Sequence, residues 1–167
     1  MCSKLPRHQI AIREARESDA TNICEVLIRS VREVCGPDYN NDEAVLEEWC
    51  ANKKPEIVTD WIRNTDNLFV VAELSPGLLV GAAMYQRVRG SIQLCYLVPE
   101  ALYQGIGAQL LATLESDAAR LGHKEIQLVS SITARHFYRR HGYLDYGEPV
   151  YSRGKVLGFP MRRPLAS

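Results

Sequence analysis

A chain of 167 residues, 46% hydrophobic and 24% charged, is long enough for a sizeable core. Twenty lysines and arginines balance twenty acidic residues, which excludes the basic surface a nucleic-acid partner demands. The apolar runs are too short to span a bilayer, Met1–His8 lacks the apolar core of a signal peptide, and five scattered cysteines without a Cys-x-x-Cys pair argue against a disulfide framework or a zinc site.

The expectation is therefore one cytoplasmic domain over residues 1–167, with no membrane partner. Gln9 to Arg13, with Ile10 and Ile12 in alternation, reads as a first strand. Ser18 and Asp19 can cap a helix whose apolar positions Ile23, Val26, Leu27, Val31 and Val34 recur at helical spacing until Gly36-Pro37 stops it. A second helical patch starts near Asn41-Asp42 and puts Val45, Leu46 and Trp49 on one side. Pro55 opens a third, with Ile57, Val58, Trp61 and Ile62.

Leu68–Glu73, Leu79–Gln86 and Ile92–Val98 then form an antiparallel meander through turns at Ser75-Pro76-Gly77 and Arg89-Gly90. Ile106, Leu110, Leu111, Leu114, Ala118 and Leu121 mark a long amphipathic helix ended by Gly122. Glu125–Val129 is the next strand, parallel to the one before that helix. A short helix, Thr133–His141, precedes a hairpin of Tyr143–Tyr151 and Lys155–Met161 across Arg153-Gly154. The fold class is α/β (α+β): a mixed, mostly antiparallel sheet with helices on both faces.

Chemistry concentrates between Ser91 and Gly142. Pro99 holds Val98 extended, and Gly105 and Gly107 remove side chains where the backbone turns into the long helix. The helix N-terminus adds unpaired N–H groups and the positive end of its dipole, a cradle suited to a pyrophosphate. The two glycines also suit a tight turn and close packing alone. No Lys-Ser/Thr pair follows as a P-loop needs, and Leu110 stands where a dinucleotide fingerprint needs glycine.

Leu97-Val98-Pro99, Gln104-Gly105-Ile106-Gly107-Ala108-Gln109-Leu110-Leu111 and Ala134-Arg135-His136-Phe137-Tyr138-Arg139-Arg140-His141-Gly142-Tyr143 together resemble the GNAT superfamily of acyl-CoA-dependent N-acetyltransferases. The resemblance is strongest over residues 91–143. It implies a V-shaped splay between the central strands, with the backbone of Leu97 and Val98 on the pantetheine arm. The amides of Tyr103, Gln104, Gly105, Ile106, Gly107 and Ala108 would then lie on the pyrophosphate. Tyr138 matches the family's tyrosine that protonates the departing thiolate. Two positions depart from the pattern: Leu102 stands where Arg or Gln is usual, and Ser131 where Asn is common.

The resemblance implies acetyl-CoA as co-substrate, no metal, and direct transfer through a tetrahedral intermediate to a primary amine on a small molecule or a protein. A non-catalytic acyl-CoA sensor is the alternative, and a homodimer through the C-terminal strands stays open. An alkylamine with pKa ~10.4 is neutral in roughly one molecule per few thousand at pH 7, so a base is needed. Glu73, His141, Asp145 and Glu148 all stand as candidates, with Glu100 badly placed beside the phosphates. A backbone N–H at Val98 would polarise the thioester oxygen. Tyr39, Trp49, Trp61 and Tyr85 read first as core and boundary residues, and the resemblance makes them candidates for the acceptor wall. Asp42, Glu43, Glu47 and Glu48 could attract a cationic amine but read first as a solvated helix face. Cys95 reads as core packing rather than an acyl-accepting nucleophile.

Overall fold

The protein is described by a computed structural model over residues 10–166, so the readings of Met1–His8, Cys2 and Gln9 lie outside the described residues. The elements run β1 (Ala11–Glu14), α1 (Ala20–Arg29), α2 (Glu43–Cys50), α3 (Pro55–Arg63), β2 (Asn67–Ser75), β3 (Leu78–Gln86) and β4 (Ser91–Leu97). Then come α4 (Ile106–Arg120), β5 (Glu125–Ser130), α5 (Arg135–Arg140), β6 (Leu144–Asp145), β7 (Val150–Ser152) and β8 (Lys155–Pro164).

The strands lie in the order β1-β2-β3-β4-β5-β8-β6, with β7 on β8. Every pairing is antiparallel except β4 with β5. Leu68–Ala72 of β2 and Leu79–Tyr85 of β3 are buried without interruption, because both faces of the sheet are covered. α1 and α3 pack together over β3 and β2, and α4 packs on β2, β3 and β4. Along α4 the buried residues Ile106, Leu110, Leu111, Leu114 and Ala118 form the stripe expected from their spacing. Truncating any of its leucines to alanine is worth about 2–5 kcal/mol.

One junction in the sheet positions the site. β4 and β5 meet at a single register pair, Ser91 with Gln127, where the Gln127 N–H also donates to the Gly90 carbonyl at 3.0 Å. Beyond that point the strands part. β5 spends its other edge on β8 over Glu125–Ser130. The result is the V-shaped slot, with β4 on one wall and the β5–α5 connection on the other.

Three expectations need correction. Asp19 does not cap α1: its carboxylate turns back to accept from the Arg16 N–H at 2.7 Å and from the Arg13 guanidinium at 2.8 and 2.9 Å. α1 also does not end as a regular helix. Ser30–Val34 continues it as a π-helical stretch, closed by Cys35 N–H donating to Ser30 O at 3.0 Å, before a 3-10 turn over Gly36–Tyr39. The strand expected over Tyr143–Tyr151 survives only as β6 and β7, since β8 must serve β5, β6 and β7 along one length. Among the described residues, no helix is long and apolar enough to cross a membrane.

Candidate active site

The glycine turn sits where β4 leaves the sheet. Gly105 has φ +81°, a conformation that costs an L-residue about 1–2 kcal/mol, and a Cβ there would meet nothing within 4 Å. Its requirement is conformational. Gly107 is different: a Cβ would lie 2.9 Å from the ring of Phe137, so its small size lets α5 close against the start of α4. The first main-chain bond of the helix runs from Gln109 N–H to Gly105 O at 3.2 Å, which leaves the amides of Ile106, Gly107 and Ala108 without intrahelical acceptors.

Tyr103, with φ +59°, is 95% exposed, so only its backbone is available to the turn. Gln104 turns its side chain inward, with Nε2 donating to the Glu100 carbonyl. Its Oε1 is the one buried side-chain polar atom without a partner among the described residues, an acceptor that a ligand N–H or O–H would satisfy. A cavity of about 220 Å³ lined by Ile10, Gln104, Ile106 and Gln109 borders the turn. Glu100 is not a bare charge beside it, because Arg29 donates to both its oxygens at 2.9 and 3.0 Å. Leu102 leaves the turn without a cation of its own, and Arg29, which sequence reasoning missed, stands next to Glu100 instead.

The wall formed by β4 divides its main-chain groups between two sides. Val98 N–H donates to Val80 O at 3.0 Å, and Val98 O accepts from Ala101 at 3.0 Å. The Val98 N–H is thus spent on β3, which corrects its expected role in polarising a thioester. Because antiparallel bonding alternates along a strand, the groups of Leu97 and Cys95 point to the slot instead. Across the slot, the Ser131 hydroxyl oxygen accepts from Ala134 N–H at 3.2 Å and keeps its own proton to donate.

Tyr138 lies on α5 and is 6% exposed. Its ring meets Phe137 edge-on at 5.2 Å and Tyr143 at 5.5 Å. Tyr143 is in turn fixed by its hydroxyl donating to Glu115 at 2.9 Å, while Arg163 donates to the other Glu115 oxygen at 2.6 Å. Burial pushes the Tyr138 phenol well above its ordinary range, reinforced by Cys95, Tyr143, Tyr96 and Cys35. Burial likewise pushes the Cys95 thiol up to about 12 against the favourable Tyr138 hydroxyl, and Cys35 up to about 11 with help from Asp38. A thiol so shifted is neutral near pH 7 and a poor nucleophile. Tyr96 is raised by burial and by Cys35, Tyr39, Cys95 and Cys50. The surroundings of Tyr138 are therefore phenols and thiols gathered from β4, the π-helical stretch and α5.

The carboxylates offered as bases are engaged elsewhere. Glu73 accepts from Arg13 at 2.8 Å and from Gly77 N–H at 3.0 Å, which hold it near 2 and make it a weak base. Asp145 is clamped by Arg135 at 2.7 Å and Arg139 at 2.6 Å, and these pairs lower it. Glu148 is exposed in the connection before β7. His141 donates Nδ1–H to the Phe137 carbonyl at 2.8 Å, serving the helix end.

Of the four aromatic wall candidates, Tyr39 and Trp49 come together with centroids 5.9 Å apart. Tyr85 is fully buried beside His123, and Trp61 packs on the core near Lys53, so neither joins them. Glu43 is taken by Arg32 at 2.6 Å, Glu48 lies 3.3 Å from Arg153, and Asp42 caps α2, which spends most of the acidic helix face. A concavity of about 570 Å³ lies between β1, β2 and α4 around Arg13, Thr113 and Asp117. It contains none of the residues around Tyr138.

The family model for the acetyltransferase (GNAT) domain matches residues 35–165. A GCN5-related N-acetyltransferase (aminotransferase, class II) of Rhodopseudomonas palustris is similar in structure, with TM-score 0.79 and 23% identity over 93% of this chain and 95% of that one. The PaiA N-acetyltransferase of Thermoplasma acidophilum, solved with coenzyme A, gives 0.76 and 23% over 93% and 98%. A phosphinothricin acetyltransferase of Sinorhizobium meliloti, solved with AcCoA, gives 0.63 and 21% over 94% and 89%. Comparison with curated proteins returned no match. At these identities the structural likeness speaks for a shared fold.

Proposed function

The chain belongs to the GNAT acetyltransferase family, and from that premise we propose that residues 1–167 form one N-acetyltransferase domain that moves an acetyl group from acetyl-CoA directly to a primary amine. The observation that carries this reading is the slot itself. β4 and β5 separate after one register pair, and the amides of Ile106, Gly107 and Ala108 stand without intrahelical acceptors where the chain leaves β4.

In this reading the amides of Tyr103–Ala108 and the dipole of α4 hold the pyrophosphate. The slot-facing groups of Leu97 and the Ser131 hydroxyl hold the pantetheine arm much as an added strand would. The N–H of Leu97 or Cys95 faces the thioester oxygen, and Val98 contributes by fixing the end of β4. Tyr138 is the proton donor to the departing thiolate. Its raised pKa keeps the O–H intact at every pH where the enzyme would work. A thiol of ordinary pKa ~8.5 leaves as a weaker base than this phenolate, so donation of the hydrogen bond to the developing S⁻ does most of the work. The N–C bond forms as the C–S bond breaks, and the N–H proton that the neutral amine sheds in the tetrahedral intermediate replaces the one that Tyr138 gives to sulfur, so the balance closes. No metal enters the scheme.

The test is an assay of free CoA thiol with acetyl-CoA and a panel of primary amines, with mass analysis of the products. CoA release matched by N-acetylated amine supports the reading. Saturable binding of acetyl-CoA with no release on any amine, peptide or lysine substrate would favour the sensor instead.

A further inference from the structure

Tyr138 rides on α5, a helix of six residues, Arg135–Arg140, too short to hold an orientation by its own hydrogen bonds. What fixes the phenol must come from outside the helix. The main chain supplies part of it: the Tyr138 carbonyl accepts from His141 N–H at 2.9 Å and from Tyr143 N–H at 3.1 Å, around Gly142 at φ +85°. That turn brings the Tyr143 ring edge-on to the Tyr138 ring, with centroids 5.5 Å apart and planes at 65°. Tyr143 is fully buried, so in a close-packed interior a shift of the Tyr138 ring requires a shift of Tyr143.

Tyr143 in turn ends on one group. Its hydroxyl donates to Glu115 Oε1 at 2.9 Å, and the second oxygen of that carboxylate accepts from Arg163 at 2.6 Å. The three residues come from three places: the link after α5, the middle of α4, and β8. The Glu115 side chain is 13% exposed, so its carboxylate has exchanged water for one phenol and one guanidinium. A leucine there would widen the buried stripe of Ile106, Leu110, Leu111, Leu114 and Ala118 and need no partners. The carboxylate instead turns a packing contact into a directed one.

α4 is also the helix whose first amides lack intrahelical acceptors, and α5 meets it a second time there, with the Phe137 ring against Gly107. Gly107 and Glu115 lie eight residues apart on α4, roughly 12 Å along its axis. Tyr138 sits between the two anchors, its ring 5.2 Å from Phe137 and 5.5 Å from Tyr143.

We propose, resting on the acetyltransferase reading above, that Glu115 is a positioning residue for the transfer step: through Tyr143 it sets the Tyr138 hydroxyl in register with the helix that holds the carrier. Glu115 touches neither substrate. It acts on the approach of the Tyr138 O–H to the thioester sulfur, where a misplacement of about 1 Å costs on the order of 10²-fold. Removing the contact therefore lowers kcat and spares both KM values. Once the Tyr138 hydroxyl is gone, Glu115 has nothing left to position.

The experiment is a double-mutant cycle on kcat. Tyr143→Phe removes only the hydroxyl, and Glu115→Gln keeps an acceptor for it but drops the charge that holds Arg163. In the CoA-release assay each is expected to lower kcat about ten- to a hundredfold, with the KM of acetyl-CoA and of the amine within about twofold. In a Tyr138→Phe background neither lowers kcat by more than about twofold further. The same fractional loss in both backgrounds is the mark of a merely structural role and overturns the proposal. If Glu115→Gln does not fold, Tyr143→Phe carries the cycle alone.

Ring position is read apart from turnover by NMR of ring-13C tyrosine, with the Tyr138 signals assigned by their loss in Tyr138→Phe. Glu115→Gln is expected to displace them. Signals that stay in place overturn the proposal even if kcat falls. Displaced signals in a protein that binds acetyl-CoA but releases no CoA on any amine would sink the acetyltransferase reading while supporting Glu115 as the residue that sets the ring.

Discussion

The two sides of the slot are built by different means. The side proposed for the carrier is built of main-chain groups of one contiguous stretch, Leu97–Ala108, shaped by a proline and two glycines. The Tyr138 side uses side chains from segments far apart in the chain: Cys35 after α1, Cys95 and Tyr96 on β4, and Tyr138 and Tyr143 around α5. A backbone cradle tolerates substitution wherever φ and packing permit. A side-chain wall changes with every residue.

The largest expected effect belongs to the residue where the two sides meet. Tyr138→Phe should lower kcat by about 10²–10⁴-fold, the range of a positioned acid–base group, with acetyl-CoA affinity within twofold. Parallel measurement of kcat and of the dissociation constant checks it. A loss of affinity instead would place the ring in the carrier side.

Next in size is a change remote from both sides. Arg13→Leu strips Asp19 and Glu73 of their shared guanidinium, with side-chain exposures of 19%, 9% and 19% for the three residues. The cost should be about 3 kcal/mol, the low end for breaking a buried pair, with kcat unchanged in the folded enzyme. Its pH dependence has a defined sign. Arg13 lowers Asp19, and holds Glu73 near 2, relative to ordinary carboxylates. The pair's stability is fully present above about pH 5, the top of the unfolded-state range, and is lost as pH falls toward 2. Denaturant melts from pH 6 to 2 should therefore steepen for wild type relative to Arg13→Leu. Parallel curves would contradict the assignment.

On the carrier side the expected effects are smaller. Gly105→Ala forces a side chain into φ +81° at about 1–2 kcal/mol, and acetyl-CoA affinity should fall roughly five- to thirtyfold with the amine KM unmoved. Calorimetric titration of both substrates would separate the two. Smallest is Leu102→Arg, which adds an exposed cation near the phosphate loop and should tighten CoA and ADP binding about two- to fivefold at low salt only. A gain that persists in 0.5 M salt would mean contacts beyond charge.

The same contrast explains what was legible in the sequence. The meander, α4 and the glycine turn rest on local signals: alternation, a helical stripe, Pro99 and Gly105. Each was readable because the residues that make it are neighbours. The slot followed only through the resemblance, since no local pattern says that β4 and β5 part after Ser91. Around Tyr138 the phenol and thiol neighbours were invisible, because the π-helical turn that delivers Cys35 has no simple periodic signature. Glu73 stands among the four base candidates of the sequence for the same reason: its partner Arg13 is 60 residues away. Val98 was misassigned because the parity of strand bonding depends on its partner Val80. Glu115 carried no signal at all, since Tyr143 and Arg163 reach it from 28 and 48 residues away.

The central claim, that this slot holds the acetyl carrier, is tested most directly by thermal unfolding with acetyl-CoA, free CoA and ADP. At a hundred times its dissociation constant a ligand adds about 2.7 kcal/mol, or roughly 5–11 °C for a chain of this size. The expected result is a shift of that order with acetyl-CoA and CoA, a smaller one with ADP, and a reduced acetyl-CoA shift in Gly105→Ala. No shift at millimolar acetyl-CoA would contradict the account.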